Sequence, residues 1–379
     1  MNSNFLKLLV AQFLSAFADN AILFTAVAMA MQAGVHPSYL SALQGMFLVA
    51  FVILAPWVGA FSDSRPKSIA LSIANFVKAT GTGLLWVGID PLVSYAVVGV
   101  GAAMYNPSKY GILPELVGHD DLVQANGWIE GVTLTAILSG SLTGGWVADR
   151  SIPMAVVLFG SLFLLAGISA RFITPIPPKT KEDSPPHFIK IVKELLKKPR
   201  ARICILGIAL FWATIMALRV MLVAWAPAVL NVHESVKIAE LTSFSAIGVA
   251  IGAILAFRVI SLDRLPRVRF AAFSLGSMLF LFGTVGDVGT ARGILFLVGL
   301  SGGLFAVPIN AAIQEIGHQS VGSGNTIAIQ QFFESLGMMA STAVYALAVA
   351  HSVDPVLAFY VLGGLVLVAT LFVSMRLPG

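Results

Sequence analysis

Long apolar runs, separated by short polar or charged stretches, repeat along the whole chain. Each run holds about 20 residues or more, the length that an α-helix needs to cross a hydrocarbon core about 30 Å thick. The runs are too long and continuous for transmembrane β-strands, which alternate over ~10 residues. They predict twelve transmembrane helices, over residues 5–32, 38–61, 67–88, 91–113, 121–147, 152–173, 203–230, 236–258, 267–286, 291–316, 320–350 and 354–375.

The composition supports an all-α integral membrane protein, since 58% of the residues are hydrophobic and only 11% are charged. The single Cys204 excludes an internal disulfide and a cysteine-based zinc cluster. The six histidines show no metal-ligand spacing, and no HxxxxD pair is present. We therefore expect no enzyme activity, catalytic residue, cofactor or metal site.

The basic residues predict the orientation of the chain. The net charge is +5, but Lys and Arg lie mostly in short loops on one side of the predicted spans. This pattern is an orientation signal rather than a nucleic-acid-binding surface, and it predicts that both termini and the long central loop are cytoplasmic. The first apolar run lacks a small-residue cleavage site, so we expect no cleavable signal peptide.

A proline-rich, charged segment divides the spans six and six. We predict an N-terminal half over 1–173, a cytoplasmic linker over 174–202 and a C-terminal half over 203–379. Residues 187–198 of the linker read as an amphipathic helix, which lies on the anionic leaflet or serves as a solvated connector. Glu115 and Glu315 end corresponding spans of the two halves, and such parallel repeats are typical of secondary transporters.

Several predicted spans carry charges at membrane depth. Asp19 lies about 14 residues into the first span, close to the bilayer midplane, where a carboxylate costs about 2.5–3.5 kcal/mol on insertion scales. It should therefore face the protein interior, a partner or water. Other ionisable residues within the spans are Lys78, Lys109, Glu130, Arg219 and Glu334.

The loop after the second span resembles the G-x-x-x-D-x-x-x-[RK] motif of the major facilitator superfamily. Residues 59–67 match it, with departures at Ser64, Pro66 and Ser68. The resemblance implies the major facilitator fold and a cytoplasmic gate, in which the motif carboxylate caps the following helix or pairs across the halves. The gate residues that it implies are Asp63, Arg65, Lys67, Glu115 and Glu315.

A closer resemblance covers about residues 10–335. Residues 10–21 and 98–116, with shorter blocks in both halves, resemble the bacterial lysophospholipid transporter family. This resemblance implies a monomer in the bacterial inner membrane that moves lysophospholipids, such as lysophosphatidylethanolamine, from the outer to the inner leaflet by alternating access. A cytoplasmic-side acyltransferase would then re-acylate them. The implied partners are this substrate, membrane lipids and the acyltransferase, with no nucleic acid.

In the fold that this resemblance implies, the first, fourth, seventh and tenth spans line a cavity. Lys109 and Arg219 would bind the lipid phosphate, and Asp19 would pair with an arginine or with the ethanolamine ammonium. A static buried ion pair is the alternative for Asp19 and Arg219, and snorkelling to the interface is the alternative for Lys109. The candidate substrate-binding or gating residues are Asp19, Asn20, Lys109, Asn126, Glu130, Arg219, Asn310 and Glu334.

Two alternatives remain open at this point. Asn126 with Glu130, and Gln330 with Glu334, share helix faces and form either a polar lining or interhelical hydrogen bonds. A proton-coupled exporter of drugs or other small molecules would also explain Asp19 and the two glutamates. We expect Lys78 to pair with a neighbour such as Glu130.

Overall fold

The structure is a computed structural model that describes residues 3–34, 37–178, 188–232 and 235–374. The residues in these ranges form helices and no strand. In the first part of the chain the helices are α1 (Ser3–Gln32), α2 (Pro37–Asp63), α3 (Lys67–Trp86), α4 (Pro91–Gly111), α5 (Leu113–Val117), α6 (Leu122–Arg150) and α7 (Ile152–Arg171).

The second part begins with the short helix α8 (Phe188–Lys197), at the predicted amphipathic segment. The charged linker residues 179–187 and the C-terminal residues 375–379 lie outside the described residues. A 3₁₀-helix (Leu262–Arg267) precedes α11. The remaining helices are α9 (Pro199–Leu230), α10 (Ser235–Val259), α11 (Val268–Phe282), α12 (Val288–His318), α13 (Ser323–Ala350) and α14 (Pro355–Ser374).

The predicted all-α membrane fold is confirmed, and each long helix begins and ends within a few residues of its predicted bounds. Eleven helices of the described chain are long and apolar enough to cross a membrane. The twelfth long helix, α4, misses that hydropathy level because Asn106, Ser108 and Lys109 lie near its end. Its polar residues are therefore a first indication of function.

The described residues cluster into two compact units. The first contains residues 1–119, 132–198 and 313–332, and the second contains 120–131, 199–312 and 333–379. The predicted division at 174–202 therefore remains a prediction, since segments on either side of it cluster with the other part of the chain.

Within the first unit, glycines let helices approach closely. A Cβ at Gly81 of α3 would lie 2.8 Å from the Val98 backbone nitrogen of α4, and one at Gly101 of α4 would lie 2.7 Å from the Ala74 carbonyl oxygen of α3. Gly140 of α6 likewise touches the Phe17 carbonyl of α1. Small residues at such contacts allow dispersion contacts between backbones, which drive helix association in lipid.

The second unit packs α10 against α12 in the same way. Gly248 and Gly252 of α10 contact the backbone of α12, and Gly299 and Gly303 of α12 contact the backbone of α10. The two pairs are each four residues apart, so they lie on one face of each helix. This contact fixes the distance between α10 and α12.

An aromatic cluster fills another part of the second unit. The Trp225 ring lies 4.5 Å from that of Phe282 and 5.9 Å from that of Phe359, between ring centroids. Trp225 is fully buried. Its burial could not be predicted from the sequence, because a tryptophan near a span end is equally typical of the membrane interface.

We predict that Gly299→Leu destabilises the folded protein, because its side chain would overlap the Ser245 carbonyl oxygen and force α10 and α12 apart. The matched control is Gly293→Leu on the same helix, where an added Cβ has no atom within 4 Å. Thermal melting of the detergent-purified protein should show a lower midpoint for Gly299→Leu only. Equal midpoints would contradict the packing argument.

Candidate functional site

An ion pair lies inside the helix bundle of the first unit. The Lys78 ammonium of α3 donates to the Asp19 carboxylate of α1, with Nζ 2.7 Å from Oδ2. The lysine side chain is 1% exposed and that of Asp19 is 18% exposed. Pairing is what makes such burial tolerable, since an isolated charge in an apolar medium is far more costly.

Neighbouring polar and aromatic groups complete the surroundings of Lys78. Its Nζ also donates to Ser15 Oγ at 3.0 Å, and Ser15 Oγ donates to Asn75 Oδ1 at 2.8 Å. The ammonium lies 4.7 Å from the centroid of the Tyr105 ring and 5.6 Å from that of Phe163. The lysine is thus held by a carboxylate, a hydroxyl and two aromatic faces.

The partners of these two charges differ from those we expected. Asp19 pairs with a lysine rather than an arginine, and Lys78 pairs with Asp19 rather than with a neighbour such as Glu130. The cause is helix geometry: Ser15 and Asp19 lie one turn apart on α1 and face Lys78 on α3. A single sequence shows which residues share a helix face, but it does not show which face of α3 turns towards α1.

Three buried polar atoms of this region have no hydrogen-bond partner among the described residues: Asp19 Oδ1, the Tyr105 hydroxyl and Gln12 Oε1. The Gln12 amide nitrogen does donate, to Thr133 Oγ1 at 2.7 Å. A buried unsatisfied polar group costs about 1–3 kcal/mol, so several together are unusual in a purely structural network. Sequence reasoning missed Gln12, Ser15 and Tyr105, which look like ordinary residues of apolar helices.

Two further candidates of the first unit lie on α4 and α1. Lys109 of α4 is buried, with Nζ 4.1 Å from the centroid of the Tyr110 ring. Lys109 therefore does not extend into solvent. Asn20 uses its amide to bond the Ala16 carbonyl oxygen at 2.9 Å.

Arg219 is a cationic residue within a membrane-spanning helix of the second unit. It lies within the apolar helix α9, on a face that it shares with Val223, and both side chains are exposed. Within the described chain it has no hydrogen bond or ion pair to any residue. A guanidinium at this depth without a protein partner is available to a ligand anion.

The other candidates of the second unit are mostly buried within it. Asn126 is fully buried and donates to the Leu122 carbonyl oxygen at 2.9 Å, while Asn310 and Glu334 are 5% and 7% exposed. Glu130 is half-buried one turn after Asn126. All four residues have further interactions within the protein.

A second polar constellation lies where α2 ends and α13 begins, within the first unit. Asp63 accepts hydrogen bonds from the backbone nitrogens of Gly324 at 2.8 Å and Asn325 at 2.9 Å. Lys67 Nζ donates to the same carboxylate at 3.0 Å. The carboxylate therefore caps the N-terminus of α13, where the helix macrodipole favours a negative charge. We call this set of residues the Asp63 cap.

Two glycines make room for the Asp63 cap. Gly322 has φ +98°, a conformation that side-chain-bearing residues rarely adopt, and a Cβ there would overlap the Asp63 carboxylate. A Cβ at Gly59 would lie 2.7 Å from the Asn325 Cα. Arg65 lies to one side, with its guanidinium 4.7 Å from the centroid of the Phe61 ring.

Two histidine–glutamate contacts lie in the same unit and mirror the internal repeat. His119, after α5, contacts Glu315 of α12, while His318, at the end of α12, lies 4.0 Å from Glu115 of α5. Each repeat thus supplies one acid and one histidine to the other. The two glutamates predicted at a gate are brought into equivalent contacts.

Within the described residues, twelve long helices with charged side chains buried among them are typical of a polytopic membrane transporter. The family model of the Major Facilitator Superfamily matches residues 8–342. A crystal structure of the superfamily transporter FucP in the outward conformation superposes with a TM-score of 0.80, covering 99% of each chain at 11% identity. At that identity the likeness shows the fold alone.

Relatives of known name are much more similar. The lysophospholipid transporter LplT of Klebsiella pneumoniae subsp. pneumoniae is 36% identical over 357 residues, covering 93% of this chain and 90% of that protein. LplT of Photorhabdus laumondii subsp. laumondii is 37% identical over 349 residues, covering 90% and 87%. The chain therefore belongs to the Major Facilitator Superfamily and, within it, to the family of these transporters. The resemblance found in the sequence is confirmed.

We predict that Asp63→Asn loosens the start of α13. An amide has one oxygen where the carboxylate has two, so one of the two backbone nitrogens loses its acceptor and Lys67 loses its counter-charge. Loss of a cap costs about 0.5–2 kcal/mol, so the amides of Gly324 and Asn325 should exchange hydrogen several-fold faster. Asp90→Asn, which alters the cap of α4 at the Leu92 nitrogen, is the control. Unchanged exchange at residues 324–325 would contradict the capping role.

Proposed function

We propose that this protein is a lysophospholipid transporter of the bacterial inner membrane, which moves lysophospholipids from the outer to the inner leaflet by alternating access. The observation that carries the proposal is the 36–37% identity to named lysophospholipid transporters over nine-tenths of the chain. The intramembrane charges fit such a substrate, because a phospholipid head group carries a phosphate and, in the ethanolamine lipid, an ammonium.

A phosphate-binding role is assigned to each of the two basic side chains predicted for it, each within its own unit. Arg219 offers an exposed guanidinium without a protein partner among the described residues, and its planar fork suits a phosphate. Lys109 is buried and supplies a second positive charge. Asp19 supplies the negative charge that an ammonium requires, and Asn20 flanks it.

The polar residues of the second unit are assigned to lining or gating. Asn126, Glu130, Asn310 and Glu334 are buried or half-buried and engaged within the protein. Interactions within the protein are expected both for residues that exchange partners during transport and for residues that only join helices. The assignment of these four residues to lining or gating therefore rests on their membrane depth and on the family resemblance.

The gate is assigned to the Asp63 cap together with the histidine–glutamate contacts. Alternating access requires that contacts at one end of the helices break and form again. Asp63 bonds α13 by two backbone nitrogens, and Lys67, Arg65, Glu115 and Glu315 surround that end with charges. The positive-inside pattern assigns this end, and both termini, to the cytoplasm.

The finer biological setting follows from the same family. We propose that the protein works as a monomer among membrane lipids and delivers its substrate to an acyltransferase on the cytoplasmic side. That enzyme would restore the second acyl chain of the lysolipid.

A proton-coupled exporter of drugs or other small molecules is the alternative. The half-satisfied carboxylate of Asp19 favours it, since a buried acid with an open oxygen is a ready proton acceptor. An exporter of this kind would show a substrate-dependent proton flux that is lost in Glu130→Gln. It would also bind no lysolipid.

We predict that Arg219→Ala reduces lysophosphatidylethanolamine uptake by spheroplasts about tenfold or more, because a hydrogen bond to a charged group contributes about 1.5–3 kcal/mol. Expression levels are matched, and Arg258→Ala, which removes an exposed arginine at the end of α10, is the control. Full activity of Arg219→Ala would exclude this arginine from the phosphate site. Equal uptake with and without the wild-type protein would refute the function itself.

A further inference from the structure

The two members of the buried ion pair differ in how accessible they are. Lys78 is 1% exposed, whereas Asp19 is 18% exposed. A group that approaches this pair therefore meets the Asp19 side chain before the lysine. A cation gains most from this contact, because the negative charge of the carboxylate attracts it. The open side of the pair consequently favours positive ligands.

The carboxylate is also incompletely used. Lys78 occupies Oδ2, while the buried Oδ1 has no hydrogen-bond partner among the described residues. An ion pair that only held helices together would be expected to have both oxygens satisfied, because the cost of burial is offset only by complete hydrogen bonding. A rotation of the Asp19 side chain would present the unused oxygen to a ligand.

Lys78 is able to give up part of its contact with Asp19 and remain in place. Its Nζ keeps the Ser15 hydroxyl at 3.0 Å and the faces of Tyr105 and Phe163. A cation over an aromatic face is stabilised by the negative charge density of the ring, most strongly when it is desolvated. Its stem is confined, since Gly101 packs directly on the Lys78 Cγ and leaves no room for even a methyl group. The ammonium therefore shifts locally rather than leaving.

We propose that Lys78 occupies the ammonium position at Asp19 while the transporter is empty, and that an ammonium-bearing phosphate head group displaces it. A primary ammonium on the ligand makes the same bonds to a carboxylate as the lysine Nζ does. The displaced Lys78 then lies beside the ligand, where the ligand phosphate neutralises the lysine charge. The site thus recognises a head group that carries both an ammonium and a phosphate. This inference rests on the proposed function and names the head-group chemistry of its site.

The Tyr105 hydroxyl completes this site. It belongs to the residue over whose ring Lys78 lies, it is buried, and it has no hydrogen-bond partner among the described residues. A phenol donates readily to a phosphate oxygen. We assign it as the donor that the phosphate meets when Lys78 shifts.

The test measures the affinities of the purified full-length protein for lysophosphatidylethanolamine and lysophosphatidylglycerol, which lacks the ammonium. Lys78→Gln removes the internal competitor, so the ethanolamine lipid should bind about tenfold tighter, a change of about 1.4 kcal/mol. The glycerol lipid should bind about tenfold more weakly, because it loses a positive charge near its phosphate. Asp19→Asn should bring the two affinities within about threefold of each other.

A second variant keeps the test decisive if Lys78→Gln folds poorly. In Lys78→Arg the guanidinium binds the carboxylate more firmly, through two parallel hydrogen bonds. This variant should therefore bind the ethanolamine lipid more weakly and the glycerol lipid with unchanged affinity. Thr80→Val, an exposed position on α3 two residues away, is the control and should behave as wild type.

The outcomes separate the inference from the function beneath it. If the affinity for the ethanolamine lipid rises in Lys78→Gln and falls in Lys78→Arg, the exchange is supported. If either variant loses affinity for both lipids equally, or if neither variant changes either affinity, the inference is overturned and the ion pair is structural. Wild-type protein that binds neither lipid would overturn the proposed function and this inference with it.

Discussion

A charged pair that is kept away from water organises the N-terminal helices. In a medium of low dielectric, the carboxylate of Asp19 is tolerated only while a cation lies against it, and Lys78 is that cation. The glycine contacts between α3 and α4 bring these helices close, and Gly101 confines the lysine to one place. Close packing of α3 on α4 therefore fixes the position of the lysine that α3 presents to Asp19 of α1.

The same physics acts differently at the Asp63 cap. There a carboxylate is stabilised by two backbone nitrogens, a helix terminus and one lysine, so each of its oxygens is used. Asp19 is more exposed, at 18% against 5% for Asp63, and one of its oxygens has no partner in the described part of the chain. A carboxylate whose oxygens are both hydrogen-bonded suits a stable structural contact. A carboxylate with an unused oxygen suits a ligand-binding site.

Much of this could be predicted from the sequence. The twelve helices follow from apolar length alone, and the buried charges stand out because they are rare at membrane depth. Asp63 was placed near a gate by its motif, and the structure brings it to the start of α13. The partners of the charges were not predictable, since the rotation of each helix about its axis decides them. For the same reason Tyr105 and Gln12 gave no signal, and the burial of Trp225 could not be predicted.

The central claim is that this protein carries lysophospholipids across a bilayer, and a reconstituted system tests it most directly. Purified protein is placed in liposomes with fluorescent lysophosphatidylethanolamine in the outer leaflet, and a membrane-impermeant reductant reports how much of it stays accessible. The account predicts that the protein protects a growing fraction of the lysolipid, while a diacyl analogue stays fully accessible. Loss of accessibility no faster than in protein-free liposomes would contradict the account.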